Sequence, residues 1–190
     1  MKASEHLRIA APADSSDAAL LLRAGAGDES AFRSLVQRHE VAIRRFAAAM
    51  LDDAPAGREV AQEAFASLWA RRARWHAGTD VRALLYVMAR NRCRSLLRRR
   101  AVLRFVGLGE APAATDLGSD AIAAERRLLV RRALAALPEK FRAPLVLRFV
   151  EDLDYDAIAA AIGRTPSAAR SRVHYGLKAL AAELPEEVRP

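Results

Sequence analysis

The chain has 190 residues, carries 31 Lys and Arg against 23 Asp and Glu for a formal charge of +8, and is 52% hydrophobic. That length and apolar share can bury one large core or two small ones, and a composition dominated by alanine, leucine and arginine, poor in β-branched and aromatic residues, points to an all-α fold. A single cysteine, Cys93, excludes an internal disulfide and has no Cys or His neighbours at metal spacing, so neither a disulfide framework nor a zinc site is expected. No run of about 18 uncharged apolar residues occurs, and Met1 to Ser16 lack a signal-peptide core, so membrane insertion is not expected and the reading is a soluble, cytoplasmic protein.

Residues 1–16, with Pro12, Ser15, Ser16 and no sustained periodicity, read as a loose N-terminal arm. Asp17 is placed to cap a short helix through Ala24, which the Gly25-Ala26-Gly27 break ends. Asp28 begins a longer helix in which Phe32, Leu35, Val36, His39, Ile43, Phe46, Ala47 and Met50 recur at three- and four-residue steps, and Asp52, Asp53 and Pro55 interrupt it. A third helix, over about Gly57 to Arg74, repeats Val60, Ala64, Phe65, Leu68 and Trp69 on one face and leaves Arg58, Glu59, Gln62, Glu63 and Ser67 on the other. After the loop Trp75 to Thr79, Asp80 caps a fourth helix that runs into Arg98-Arg99-Arg100. Together these helices form one N-terminal bundle over 17–104.

The charge is concentrated at the end of that bundle. Between Arg71 and Arg104 stand eleven arginines and one acid, Asp80, while the first 70 residues sum to −2 and residues 105–190 to zero. Solvated helices normally mix signs to gain i,i+4 pairs, and this one has almost no acids of its own. Arg82, Tyr86, Arg90, Arg94 and Arg98 recur every four residues, Arg74, Trp75, His76 and Asn91 lie beside that stripe, and Leu84, Leu85, Met88 and Leu96 supply a buried side. Cations interleaved with stacking groups suit a nucleic-acid surface. For Trp75 alone, a plug in the core is the plainer reading. The Glu59, Gln62, Glu63 face reads either as solvated helix surface or as a docking surface for a basic partner.

Residues 105–121 carry Gly107, Gly109, Pro112 and Gly118, the acids Glu110, Asp116 and Asp120, and no base; they read as an acidic linker. Periodicity resumes at Ile122 and marks a second helical domain over 122–184, followed by a tail at 185–190. Within it Pro144 is expected to start a helical segment or kink one. Residues 154–180 read as a helix-turn-helix: Asp154 caps the first helix, Gly163 makes the turn, and Thr165 caps the second with Pro166 at its first position. Ala169, Val173, Leu177 and Leu180 form its inner stripe. The opposite side presents Ser167, Ala168, Arg170, Ser171, Arg172, His174, Tyr175 and Lys178, hydroxyls and cations that donate to phosphates and guanine edges. An αα-hairpin with a solvated face has the same local signals. The histidines His6, His39, His76 and His174 lie in different elements, with no glycine-rich phosphate loop and no carboxylate pair spaced for metal-ion work. No catalysis, cofactor or metal is therefore expected.

Several stretches, in order, resemble one family. Gly27-Asp28-Glu29-Ser30-Ala31-Phe32 is similar to an opening GDxxAF, Glu59 to Trp69 to a VQExFxxLW helix, and Leu85-Tyr86-Val87-Met88-Ala89-Arg90-Asn91 with its arginine run to LYRIARN. Ala135-Ala136-Leu137-Pro138, Leu145 to Phe149, Tyr155-Asp156-Ala157-Ile158-Ala159 and Ser171-Arg172-Val173-His174 are similar to LP, LxLR, YxEIA and SRxH segments. The family is the extracytoplasmic-function (ECF) sigma factors of bacterial RNA polymerase, and the resemblance spans roughly 17–184. It implies a promoter-specificity subunit made of two small helical domains, region 2 and region 4. The Glu59, Gln62 and Glu63 face would dock on the β′ clamp helices of core RNA polymerase. Arg74, Trp75, His76, Arg82, Tyr86, Arg90, Asn91, Arg94 and Arg98 would open the minus-10 element and hold a flipped base. Thr165, Ser167, Arg170, Ser171, Arg172, His174 and Lys178 would read minus-35 duplex, with the second domain also on the β flap and the acidic linker in the RNA exit channel. Promoter DNA, core polymerase and an anti-sigma factor are the partners it implies. The chain departs from the pattern at Val81 and Leu84, where Phe and Trp are common, and at Arg58, which precedes Glu59 in place of an acid. A free-standing helix-turn-helix regulator, which leaves the arginine block unexplained, and a helical RNA-binding or adaptor protein that uses the same block on folded RNA are the rival readings.

Overall fold

The computed structural model describes residues 16–76, 78–105 and 121–185, and among these there are eight α-helices, one 3₁₀ turn and no strand. Of the assigned arm only Ser16, of the linker only Phe105 and Ala121, and of the tail only Pro185 fall within the described residues. α1 (Asp17–Gly25) is capped by Ser16, whose Oγ accepts from the Ala19 N–H at 3.2 Å. This corrects the assignment of the cap to Asp17. Because Ser16 supplies the acceptor, the Asp17 carboxylate is free to cross to α2, where it meets Arg38 at 3.0 Å and His39 Nε2 at 2.6 Å.

α2 (Glu29–Leu51) starts as the sequence predicts, with Asp28 Oδ1 accepting from the N–H groups of Ser30 and Ala31. The Ser30 hydroxyl, which donates to the same oxygen at 2.6 Å, then the Ala31 N–H and Arg23, hold the Asp28 carboxyl far below the usual carboxylate range. The chain turns at Asp52, in the left-handed region at φ 51°, and α3 (Ala54–Ala70) begins at once. Pro55 therefore opens α3 instead of merely interrupting α2, since the first helical turn has no use for its missing N–H. α3 also ends earlier than predicted, at Ala70, and Arg72–Arg74 form a 3₁₀ turn. α2 and α3 lie so close that a Cβ on Gly57 would stand 2.7 Å from the Ala48 nitrogen. α4 (Val81–Phe105) is capped by Asp80 through the Ala83 N–H at 2.9 Å. Leu35, Ile43, Phe46, Met50, Val60, Leu68, Val81, Leu85 and Cys93 are buried between these helices.

The second unit comprises α5 (Ala121–Ala136), α6 (Glu139–Phe149), α7 (Tyr155–Ile162) and α8 (Pro166–Glu183). Pro144 neither starts a helix nor ends one: α6 runs through it, and its apolar ring is buried in the core beside Leu145 and Val146. The helix gives up one ladder bond there, from the N–H that proline lacks. Asp154 caps α7 and Thr165 caps α8, with Gly163 between them at φ 64°. The inner stripe of α8 differs from the prediction. Ala169, Val173 and Gly176 are buried, whereas Leu177 is 42% exposed. At 3.6 residues per turn position 176 stays over the core and 177 rotates away, and a Cβ at 176 would press on Leu145, 3.1 Å from its Cγ.

The two units pack on each other, α6 and α5 against α2 and α7 against α4. Arg142 is buried and donates to the carbonyls of Met50 (2.8 Å), Leu137 (2.8 Å) and Ala135, so one guanidinium gathers the C-terminal ends of α2 and α5 where helix carbonyls lack ladder partners. Arg131 meets Asp52 at 2.7 Å. Glu151, in the α6–α7 turn, is buried against the first unit.

Candidate nucleic-acid and polymerase interfaces

The polar outer face of α8 is open. Thr165, Ser167, Arg170, Ser171, His174 and Lys178 are exposed and Arg172 is half-buried. They project from a helix whose N-terminus is capped and whose buried stripe faces α6, so packing fixes the direction of the polar side. Between Thr165 and Ala182 there is no acid. Arg170 makes a contact that has no local signal: its Cζ lies 5.1 Å from the centre of the Tyr155 ring, and Arg148 lies 5.7 Å from the same ring.

The arginine stripe of α4 is not uniformly open. Arg82, Asn91, Arg94 and Arg98 are exposed, as are Arg74 and His76 before the helix. Tyr86 is different. It is 1% exposed, packs edge-on against Phe46 at 5.3 Å, and donates its hydroxyl to Glu151 Oε2 at 3.2 Å. Burial, with the Glu151 charge, pushes its pKa up to about 12. In this arrangement its ring is a core group, unavailable to stack on a base. Arg90 is half-buried, 3.6 Å from Glu139, and its Nε has no hydrogen-bond partner. Its pKa is lowered, mainly by burial and further by Arg94, Arg172 and Arg164, against the pull of Glu139.

Other arginines of the block find acids on neighbouring elements, which a reading of α4 alone does not reveal. Arg100 bonds Asp53 at 2.6 Å and the Leu51 carbonyl at 3.0 Å, while the other oxygen of Asp53 caps α3. Arg92 meets Glu63 at 2.5 Å. Part of the cation thus holds the bundle together, and Arg74, Arg82, Arg94 and Arg98 remain facing solvent.

Trp75 is half-buried and donates its indole N–H to the Leu68 carbonyl at 3.3 Å, which fits the plug reading. His76 beside it accepts from the Gly78 N–H, and its own N–H donates to Thr79. Glu59, Gln62 and Glu63 are exposed together on α3. Missing from the predicted set are Arg45 and Glu151, joined by two hydrogen bonds of 2.8 Å, and the role of Tyr155. Neither pairing has a local signal, because each links residues distant in sequence. Among the described residues no helix is long and apolar enough to cross a membrane.

Comparison with known proteins places these surfaces in one family. Residues 35–102 match Sigma-70 region 2, and residues 127–180 match Sigma-70, region 4. The chain is 32% identical to the RNA polymerase sigma factor CarQ of Myxococcus xanthus, over 85% of this chain and 95% of that one. It is 30% identical to the ECF RNA polymerase sigma factor SigE of Mycolicibacterium smegmatis, over 81% of this chain and 63% of SigE. In fold it is similar to CnrH, solved in complex with the cytosolic domain of CnrY, with a TM-score of 0.68 at 24% identity over 87% of this chain and 95% of that one. It also resembles the sigma factor RpoE of Bartonella quintana, solved with the anti-sigma factor NepR, with a TM-score of 0.63 at 22% identity over 80% and 95% of the two chains. With two sigma regions in order, an open helix-turn-helix face and a basic fourth helix, the chain belongs to the ECF sigma factors of bacterial RNA polymerase.

Proposed function

We propose that the two units divide the work of a promoter-specificity subunit as follows. The 17–104 unit docks on the β′ clamp helices through Glu59, Gln62 and Glu63, and separates the minus-10 element with Arg74, His76, Arg82, Asn91, Arg94 and Arg98, the solvent-facing groups of the basic stripe. The 122–184 unit reads minus-35 duplex through α8 and rests on the β flap. The observation that carries this reading is the acid-free outer face of α8, where Ser167, Arg170, Ser171, His174 and Lys178 stand exposed on a capped, rigidly seated helix. Hydroxyls and cations on such a helix suit the phosphates and guanine edges of a major groove.

The protein has no catalysis of its own on this reading and acts in the cytoplasm, where the polymerase works. It binds a protein inhibitor of the class that NepR represents for RpoE. The test is run-off transcription by purified core polymerase, with and without the protein, on a library of promoter fragments. New start sites sharing upstream and downstream motifs are the expected result. Duplex binding by the protein alone, with no added transcripts, would replace this reading with that of a free-standing regulator.

A further inference from the structure

Tyr155 is the first residue of α7, half-buried, and it belongs to neither the predicted DNA face nor the buried core. Its ring is within cation–π range of two guanidinium groups: Arg170 on the outer face of α8 at 5.1 Å and Arg148 at the end of α6 at 5.7 Å. Arg148 is itself tied down, donating to the Leu153 carbonyl at 3.0 Å and lying 3.6 Å from Asp152. The ring packs against the hydrophobic core at the start of a helix whose backbone Asp154 caps. Arg170 therefore leaves α8 beside a fixed aromatic face, although it is exposed.

A free arginine samples many rotamers and gives up that freedom when its planar fork engages a base edge. A guanidinium already resting on a ring gives up less, and it reaches toward a narrower range of positions. We propose that Tyr155 is a positioning residue that aims Arg170 and so sets the base preference at one position of the minus-35 element. The inference rests on the reading of α8 as the minus-35 helix. It assigns specificity to a side chain that need not touch the DNA.

The experiment uses the full chain assembled with core polymerase and a promoter library randomised across the minus-35 element. Four proteins are compared: the parent, Arg170→Ala, Tyr155→Leu and Tyr155→Phe. Arg170→Ala identifies the position it reads. Tyr155→Leu is expected to weaken the preference at that position about two- to fivefold, the effect of losing one exposed cation–π contact, with the other positions unchanged. Tyr155→Phe, which keeps the ring, is expected to retain the parent preference. Tyr155→Met serves as a second ring-free variant should the leucine variant melt before assay temperature.

Three results would overturn the proposal. Ring-free variants could leave the Arg170 position unchanged, they could lower transcription equally at every position as a structural defect does, or the phenylalanine variant could behave like the leucine variant. If Arg170→Ala changes no preference while transcription persists, Arg170 reads no base and the role of Tyr155 falls; if Arg172→Ala changes none either, the minus-35 assignment of α8 fails as well.

Discussion

Arg45 and Glu151, 106 residues apart in the chain, meet through two hydrogen bonds of 2.8 Å, with the carboxylate buried and the guanidinium half exposed. The arrangement is lopsided. Glu151 depends on Arg45 and the Tyr86 hydroxyl, whereas Arg45 can also be solvated by water. Removing the arginine leaves a sheltered charge short of partners, which costs more than the pair's net attraction. Arg45→Ala is expected to destabilise the packing between the units by about 1–3 kcal/mol, discounted for the exposure of the arginine. Amide hydrogen exchange checks this: the α6–α7 turn and the Tyr86 turn of α4 should exchange faster together. Exchange unchanged in both would show that the pair carries no such weight.

Tyr86 gives the fold an alkaline limit. Its pKa is raised from 10.0 to about 12 in the folded chain, so it stays protonated where the unfolded chain would release the proton. The stability that follows is fully present below about pH 10 and is lost as the pH rises from there to about 12. Thermal melts across that window should show a fall in the parent that Tyr86→Phe lacks. Equal falls in both proteins would place the titration elsewhere.

Gly57 and Gly176 predict a graded pair. A Cβ on Gly57 meets backbone atoms of Ala48 at 2.7 and 2.8 Å, which cannot move without separating α2 from α3. A Cβ on Gly176 meets only side-chain carbons of Leu145, at 3.1 to 3.4 Å, and these can rotate aside. Gly57→Ala should cost about 1–3 kcal/mol by overpacking, and Gly176→Ala less. Urea unfolding of both variants measures the order, and the reverse order would contradict the close approach of α2 and α3.

The exposed α3 face makes a prediction about assembly. Gln62→Ala combined with Glu63→Ala removes groups that bear little on the core, and the Glu63–Arg92 pair it breaks is open to water and weak, so the melting temperature should change little. Association with core polymerase, read by native gel or light scattering, should weaken clearly. Normal assembly would remove this face from the docking surface.

The helix starts were the most legible part of the fold. Asp28, Asp80, Asp154 and Thr165 act through bonds to N–H groups two or three residues onward, so a local reading captures them. Ser16 and Asp17 show the limit: both can cap, and the choice depends on Arg38 and His39, which lie on another helix. Leu177 was misplaced because an i,i+4 stripe and an i,i+3 stripe diverge by one residue over two turns, and Gly176 carries no apolar side chain to mark the true one. The candidate DNA faces followed from residue type and spacing. The burial of Tyr86 did not, since it comes from Glu151, 65 residues away.

Cys93 is the only thiol in the chain, and it is enclosed in the first core with its pKa pushed up to about 12 by burial. At neutral pH almost none of it is thiolate, the nucleophilic form that attacks peroxides and disulfides. An oxidant reaching this protein meets no exposed thiol. If the genes it serves respond to oxidative stress, any thiol chemistry of detection takes place on another molecule, and this chain receives only the outcome.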